Sequence, residues 1–236
     1  INPDNKSQTA AVLYLLAESY FKSKQYKQSL EFYQQALPIA KEVSNNKQQE
    51  AEILDKIGDS YQYLQQYDNA IAAYQQALVV AQEDKNQSLT ANILIGIGAV
   101  YSFQDNKEKS IEYFQQALKI QREIKDKPAI LKSLLLVSSH YGSKAVNFYT
   151  RGLIAQAKAE LPRRIEFTKE ALNLAKELKQ EAEEATALYA LGQSYFILGD
   201  NQKALEFSQQ AVKIARNIKD TEIENSTLNS LALIYM

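Results

Sequence analysis

The five residues YQQAL stand at 33–37, again at 74–78, and as FQQAL at 114–118. Diverged copies follow at 168–172 and 208–212, so successive steps are 41, 40, 54 and 40 residues. A chain that repeats itself at such a period folds as an array. Each copy is one supersecondary unit that buries its apolar face against the next.

A second motif keeps the same beat. Tyr20, Tyr61, Tyr101, Tyr141, Tyr195 and Tyr235 each follow a leucine by seven residues, from Leu13 through Leu54, Leu94, Leu134 and Leu188 to Leu228. Intermediate apolar and small residues at three- and four-residue spacing complete a single helix stripe. YQQAL belongs to a second helix, in which Ala70, Tyr74, Ala77 and Ala81 form one stripe and the two glutamines face water. Gly58, Gly98 and Gly192 each lie three residues before the tyrosine of the first helix. A glycine there costs about 1 kcal/mol against alanine, so its recurrence predicts close helix–helix approach. The pieces between stripes are short and polar (KSKQY, LQQYD, FQDNK, LGDNQ; then SNNKQ, EDKNQ, IKDKP, NIKDT), which predicts turns and leaves no room for strands.

Little chemistry is encoded. The chain has no cysteine and one histidine, His140, so neither a thiolate metal site nor a cysteine nucleophile exists, and no carboxylate set completes a histidine metal site. No G-x-S-x-G elbow or phosphate loop appears, and the chain is read as non-enzymatic with no cofactor. His140 is read as a packing residue. A net charge of −1 argues against nucleic acid, and no run of 18 apolar residues spans a membrane. The chain starts at Ile1 and its only methionine is Met236, as in a piece of a longer protein or a processed chain; the expected location is the cytoplasm.

The combination L-x2-[IL]-G-x2-Y then A-x3-[YF]-x2-A, clearest in LDKIGDSYQYLQQYDNAIAAYQQA (54–77), resembles the tetratricopeptide repeat (TPR) family. The 40-residue unit is similar to the long-helix kind of kinesin light chains and many bacterial proteins; HEAT repeats share the period but not this motif pair. The resemblance implies an all-α fold, a right-handed superhelix (α-solenoid) of antiparallel helix pairs. It covers 1–236 as one array: repeats 9–44, 48–85, 88–126, 128–180 and 182–219, then the first helix of a sixth at 222–236.

The fourth repeat carries 14 extra residues, close to four helical turns. Lengthening each helix by about two turns keeps the packing phase, with the turn near Thr150, Arg151 and Gly152. Pro162 lies inside the second stripe, which predicts a kink there or a break that splits off 153–160. Pro38 raises the same question, and Pro128 is placed to start a helix.

What the resemblance implies for function is a scaffold that binds a peptide or protein on the concave wall lined by first helices. The alternative is a regulatory or sensor module that controls an attached effector domain through peptide binding. The implied wall positions include Tyr14, Glu18 and Phe21; Glu52, Asp55, Asp59 and Tyr63; Asn92, Ile95 and Phe103; Lys132 and Leu135; and Tyr189, Gln193 and Phe196. The aromatics are candidate anchors or interhelical packing. Glu52, Asp55 and Asp59 share one helix face, either as a solvated surface or as a seat for a basic side chain. Arg151, Lys158, Arg163 and Arg164 are either solvated or a basic contact for a partner. The uncovered stripe Leu228, Leu231 and Tyr235 is a candidate for self-association.

Overall fold

The computed structural model describes residues 3–42 and 47–235. The end of the first expected repeat (43–44), part of the turn at 44–48, and Met236 lie outside them. The described residues form eleven helices and divide between residues 124 and 125 into two compact units. The first unit holds α1 (Pro3–Lys22), α2 (Tyr26–Glu42), α3 (Lys47–Tyr63), α4 (Tyr67–Glu83), α5 (Gln87–Phe103) and α6 (Lys107–Glu123). The second holds α7 (Lys127–Thr150), α8 (Ile154–Leu178), α9 (Glu181–Leu198), α10 (Asn201–Ile218) and α11 (Thr221–Tyr235). The fold is all-α, and consecutive helices pair antiparallel.

Turns within hairpins are closed by one residue at positive φ: Lys24, Gln65, Asp105, Gly152 or Gly199. That residue satisfies carbonyls at the helix end; the Gly199 N–H donates to Phe196 O and the Asp200 N–H to Tyr195 O, both at 2.9 Å. Asn86, Asn106 and Asp200 cap α5, α6 and α10 by accepting the N–H three residues on.

Inside each unit the odd helices touch one another, α3 with α5, α7 with α9 and α9 with α11, while α2, α4, α8 and α10 each pack between their two neighbours and α6 packs on α5. The repeated residues explain this. Tyr33, Tyr74 and Phe114 are fully buried on α2, α4 and α6, and Thr168 and Ser208 fill the same slot on α8 and α10. Opposite the slot lie the glycines. A Cβ on Gly58 would sit 2.6 Å from the Tyr74 ring, and one on Gly96, in the next hairpin, 2.8 Å from the hydroxyl end of the same ring. At Gly98 it would sit 2.6 Å from Phe114, and at Gly192 2.5 Å from Ser208 Oγ. The aromatic therefore fills the space that the glycines leave, within a hairpin and between successive ones.

Helices α7 and α8 have 24 and 25 residues, against 17 in each of α2 to α6. The turn between them falls at Arg151–Leu153, with Gly152 at positive φ, and Pro128 lies in the first turn of α7. Of the kink or break expected at Pro162, the break does not occur: α8 runs through it, as α2 runs through Pro38. Pro162 is exposed, as is Lys158, whose carbonyl loses its N–H partner, while the buried Ala157 and Leu161 hold the preceding turns against Ala145 and Ile197.

Candidate partner-binding site

On α1 and α3 of the first unit, the acidic wall residues serve the hairpins themselves. The Tyr33 hydroxyl donates to Glu18, and the Tyr74 hydroxyl donates to Asp59 Oδ1 at 2.6 Å, with Gln62 Oε1 at 3.3 Å. The next hairpin has Phe114 in the slot, which needs no acceptor, and Ala99 at the matching position. Burial, then the neighbouring acids, hold both tyrosines far above the usual phenol range.

Lys56 occupies the centre of the acidic group, 2.7 Å from Asp59 and 3.5 Å from Asp55. Burial opposes its charge, yet the two carboxylates keep its ammonium above the ordinary range. Of the two readings of Glu52, Asp55 and Asp59, solvated surface or seat for a basic side chain, the seat at Asp55 and Asp59 is taken by a lysine of their own helix. Asp55 is buried, and its carboxyl is raised to about 7 by burial first, then by Asp59, against the pull of Lys56. Tyr14 packs edge-on to Tyr33 at 5.6 Å, its hydroxyl pushed up to about 12 by burial and then Glu18.

Because Asp55 binds its proton more tightly folded than unfolded, stability falls as pH rises from about 4 to about 7 and levels off above. Asp55→Asn removes that slope and is expected to stabilise the protein at pH 7.5 by about 1–3 kcal/mol. Urea unfolding at pH 5 and 7.5 measures it; an unchanged slope in the variant would contradict the assignment.

The aromatic positions differ. Phe21, Tyr26 and Tyr63 form a cluster, with Tyr26 and Tyr63 stacked at 4.5 Å, and Phe103 stacks on Tyr67 at 6.1 Å. Tyr63 is still 54% exposed and Phe103 62%, so each presents a ring face already fixed from behind. Asn92 is exposed and Ile95 half-buried.

In the second unit, Lys132 is exposed and Leu135 packs against the Leu172–Leu188 core. Gln193 and Phe196 of α9 line a cavity of about 180 Å³ with Val146 and Tyr149 of the lengthened α7, Ile197, and Leu233 of α11. Leu233 is 58% exposed, and the Tyr149 and Phe196 rings meet edge-on at 6.0 Å. Val146, Tyr149 and Leu233 were not among the expected wall residues. Leu233 has the wall spacing, two before Tyr235; the other two lie where the insertion carries α7 beyond the repeat pattern.

Of the expected basic contact, Arg151, Lys158 and Arg163 are exposed. Arg164 does not lie at the surface with them: it is 4% exposed, points into the hairpin, and its Nη2 donates to Gln193 Oε1 at 2.9 Å. Burial lowers its guanidinium to about 10. His140 lies half-buried with Nδ1 2.9 Å from Leu136 O of its own helix. Among the described residues no helix is long and apolar enough to cross a membrane.

The tetratricopeptide repeat sequence profile matches residues 8–78, 49–123 and 144–217. No curated protein sequence matched significantly. Solved structures with the same fold include kinesin-light-chain-type TPR-like repeats from Podosopora anserina (15% identical, 89% of this chain and 97% of that chain, TM-score 0.68). A signal transduction ATPase (STAND) with a tetratricopeptide repeat sensor, PH0952 from Pyrococcus horikoshii, is 17% identical over 97% of this chain and 33% of its own (TM-score 0.77). A Rap protein complexed with Competence and Sporulation Factor is 17% identical over 96% of this chain and 63% of its own (TM-score 0.64). At these identities the likeness concerns the fold. With the profile covering most of its length and the recurring Gly–aromatic contacts behind it, the chain belongs to the tetratricopeptide repeat family.

Proposed function

We propose that the chain is a protein-interaction module that binds a peptide or protein segment on odd-numbered helices of its second unit, α7, α9 and α11. The observation that carries this reading is the apolar cavity between α7, α9 and α11, with Phe196 and Leu233 at its rim. Its volume of about 180 Å³ suits one apolar side chain, and aromatic residues around such a hole are the usual anchors of binding energy. Tyr63 and Phe103 offer further contact area in the first unit.

The test begins with peptides selected on the purified chain from a random library. The double variant Phe196→Ala, Leu233→Ala is expected to weaken the best peptide at least tenfold, about 1.4 kcal/mol, with helicity unchanged. Gln210→Ala, on the exposed side of α10, leaves affinity as it was. Equal affinity for the double variant and the wild type would sink the reading. A sensor role, with peptide binding controlling an attached effector, is favoured by the likeness to PH0952, whose repeats form a sensor. An effector domain encoded beside this segment would support it.

A further inference from the structure

We infer that the second unit carries a carboxylate subsite built on Arg164, beside the apolar cavity, and that the bound segment presents an Asp or Glu side chain next to an apolar one. This rests on the partner-binding reading above and names the chemistry of the partner.

Four residues before the buried slot, every other hairpin has a small, fully buried residue: Ser29, Ala70, Ser110 or Ala204. The hairpin of α7 and α8 has Arg164 there. Room for it comes from two further departures. Thr168 replaces the slot aromatic of the first unit, and Gly142 stands where the other first helices have Phe21, Gln62, Ser102 and Phe196. A Cβ on Gly142 would lie 2.5 Å from Arg164 Cζ. Arg164 and Gly142 thus depart from the repeat together, beside a slot without an aromatic, and the space they make holds a guanidinium.

That guanidinium has no counter-charge. No carboxylate among the described residues lies within ion-pair distance of it, and Nε and Nη1 are buried without a hydrogen-bond partner, so the charge is connected to the wall through Nη2 and Gln193. Glu160, one turn earlier on α8, is held by Lys144 at 3.1 Å. A buried unpaired cation is costly, and an apolar chain of similar size would fill the space at lower cost. A charge kept against that cost is explained by what it recognises.

Hydrogen-bond polarity carries the effect to the wall. Arginine only donates, so Gln193 must turn Oε1 toward Arg164 and its amide N–H outward. Gln193 Nε2 then donates to the Tyr189 hydroxyl at 2.6 Å, which leaves the Tyr189 proton for an outside acceptor. Across α11, Asp220 is engaged in capping, accepting the Ile223 N–H at 2.9 Å, and Glu222 is exposed. Gln193 also lines the cavity, so the polar end of the site and the apolar hole share one side chain. The face continues past it, with Ser139 and Ser143 exposed on α7, which suits a side chain on a through-running segment rather than a chain end.

Three sets of hexapeptides test this. One is capped at both ends with a central Glu-Leu pair, one is the same with Gln-Leu, and one ends in leucine with a free carboxylate. Titration is followed at the Gln193 side-chain amide and the Arg164 Nε–H by NMR. Glu-Leu is expected to bind at least tenfold tighter than Gln-Leu, and Arg164→Met to erase the difference while raising Tm by a few degrees. Equal binding of the two capped sets at the cavity, or a preference that survives Arg164→Met, overturns the carboxylate subsite and leaves the partner-binding reading standing. Preference for the free-carboxylate set alone overturns it in favour of a chain-end clamp. Binding by none of the sets overturns this inference, whereas failure of the selected-peptide test above overturns the reading beneath it.

Discussion

Tyr74→Ala is expected to cost the protein about 3–5 kcal/mol of folding stability, and it does so through three helices at once. The ring is fully buried on α4, with Gly58 of α3 beside it and Gly96 of α5 at its hydroxyl end. Neither glycine has a side chain that can swing into the void, so the cavity persists unless backbones move. Truncation also takes the hydroxyl from Asp59, leaving that carboxylate to Lys56 alone. The measurement is urea unfolding followed by circular dichroism, with hydrogen exchange reporting faster opening of α3, α4 and α5. A loss below about 1 kcal/mol, the level of ordinary surface changes and mild core swaps, would mean that the slot is not where successive hairpins are joined.

The second large effect concerns the lengthened hairpin. Leu161→Ala is expected to cost about 2–5 kcal/mol and to bring amide exchange over 154–161 close to that of an open chain. Leu161 is fully buried with Ala145, Ala157 and Ile197, against Phe148 and Phe196. It directly precedes Pro162, where the helix is a backbone hydrogen bond short. Tertiary packing is what carries α8 through the proline, so its removal should release the N-terminal turns first. Retention of slow exchange there would show that the segment is held by something other than this cluster.

Much of this architecture was legible in the sequence because it is said several times. The stripe Leu54, Gly58, Tyr61 and its copies reveal a helix and its buried side, and three glycines at one place foretell the close approach seen at Tyr74, Phe114 and Ser208. Helical periodicity could not tell what each wall residue touches. Glu18 and Asp59 lie on the expected face, but a neighbouring helix reaches them with a tyrosine hydroxyl, and only three-dimensional placement reveals that. Arg164 was grouped with Arg163 by proximity in the chain; one residue of offset on a helix is about 100°, and that rotates it from solvent into the hairpin. The repeat register held the clue, since Arg164 occupies the position of Ala70 and Ala204. The cavity was the least legible feature, because the insertion that supplies Val146 and Tyr149 has no counterpart in other repeats to be compared with.

In the first unit each buried slot residue and the residue facing it match as a pair: tyrosine with an acid, phenylalanine with alanine. A double-mutant cycle on Tyr33→Phe and Glu18→Ala tests it most directly, since Glu18 has no lysine partner among the described residues to blur the reading. The predicted result is a coupling of about 1.5–3 kcal/mol, the range for a hydrogen bond to a charged group, with the double variant close to wild type because it copies the Phe114–Ala99 pair. Strict additivity of the two single losses, within about 0.3–0.5 kcal/mol, would contradict it.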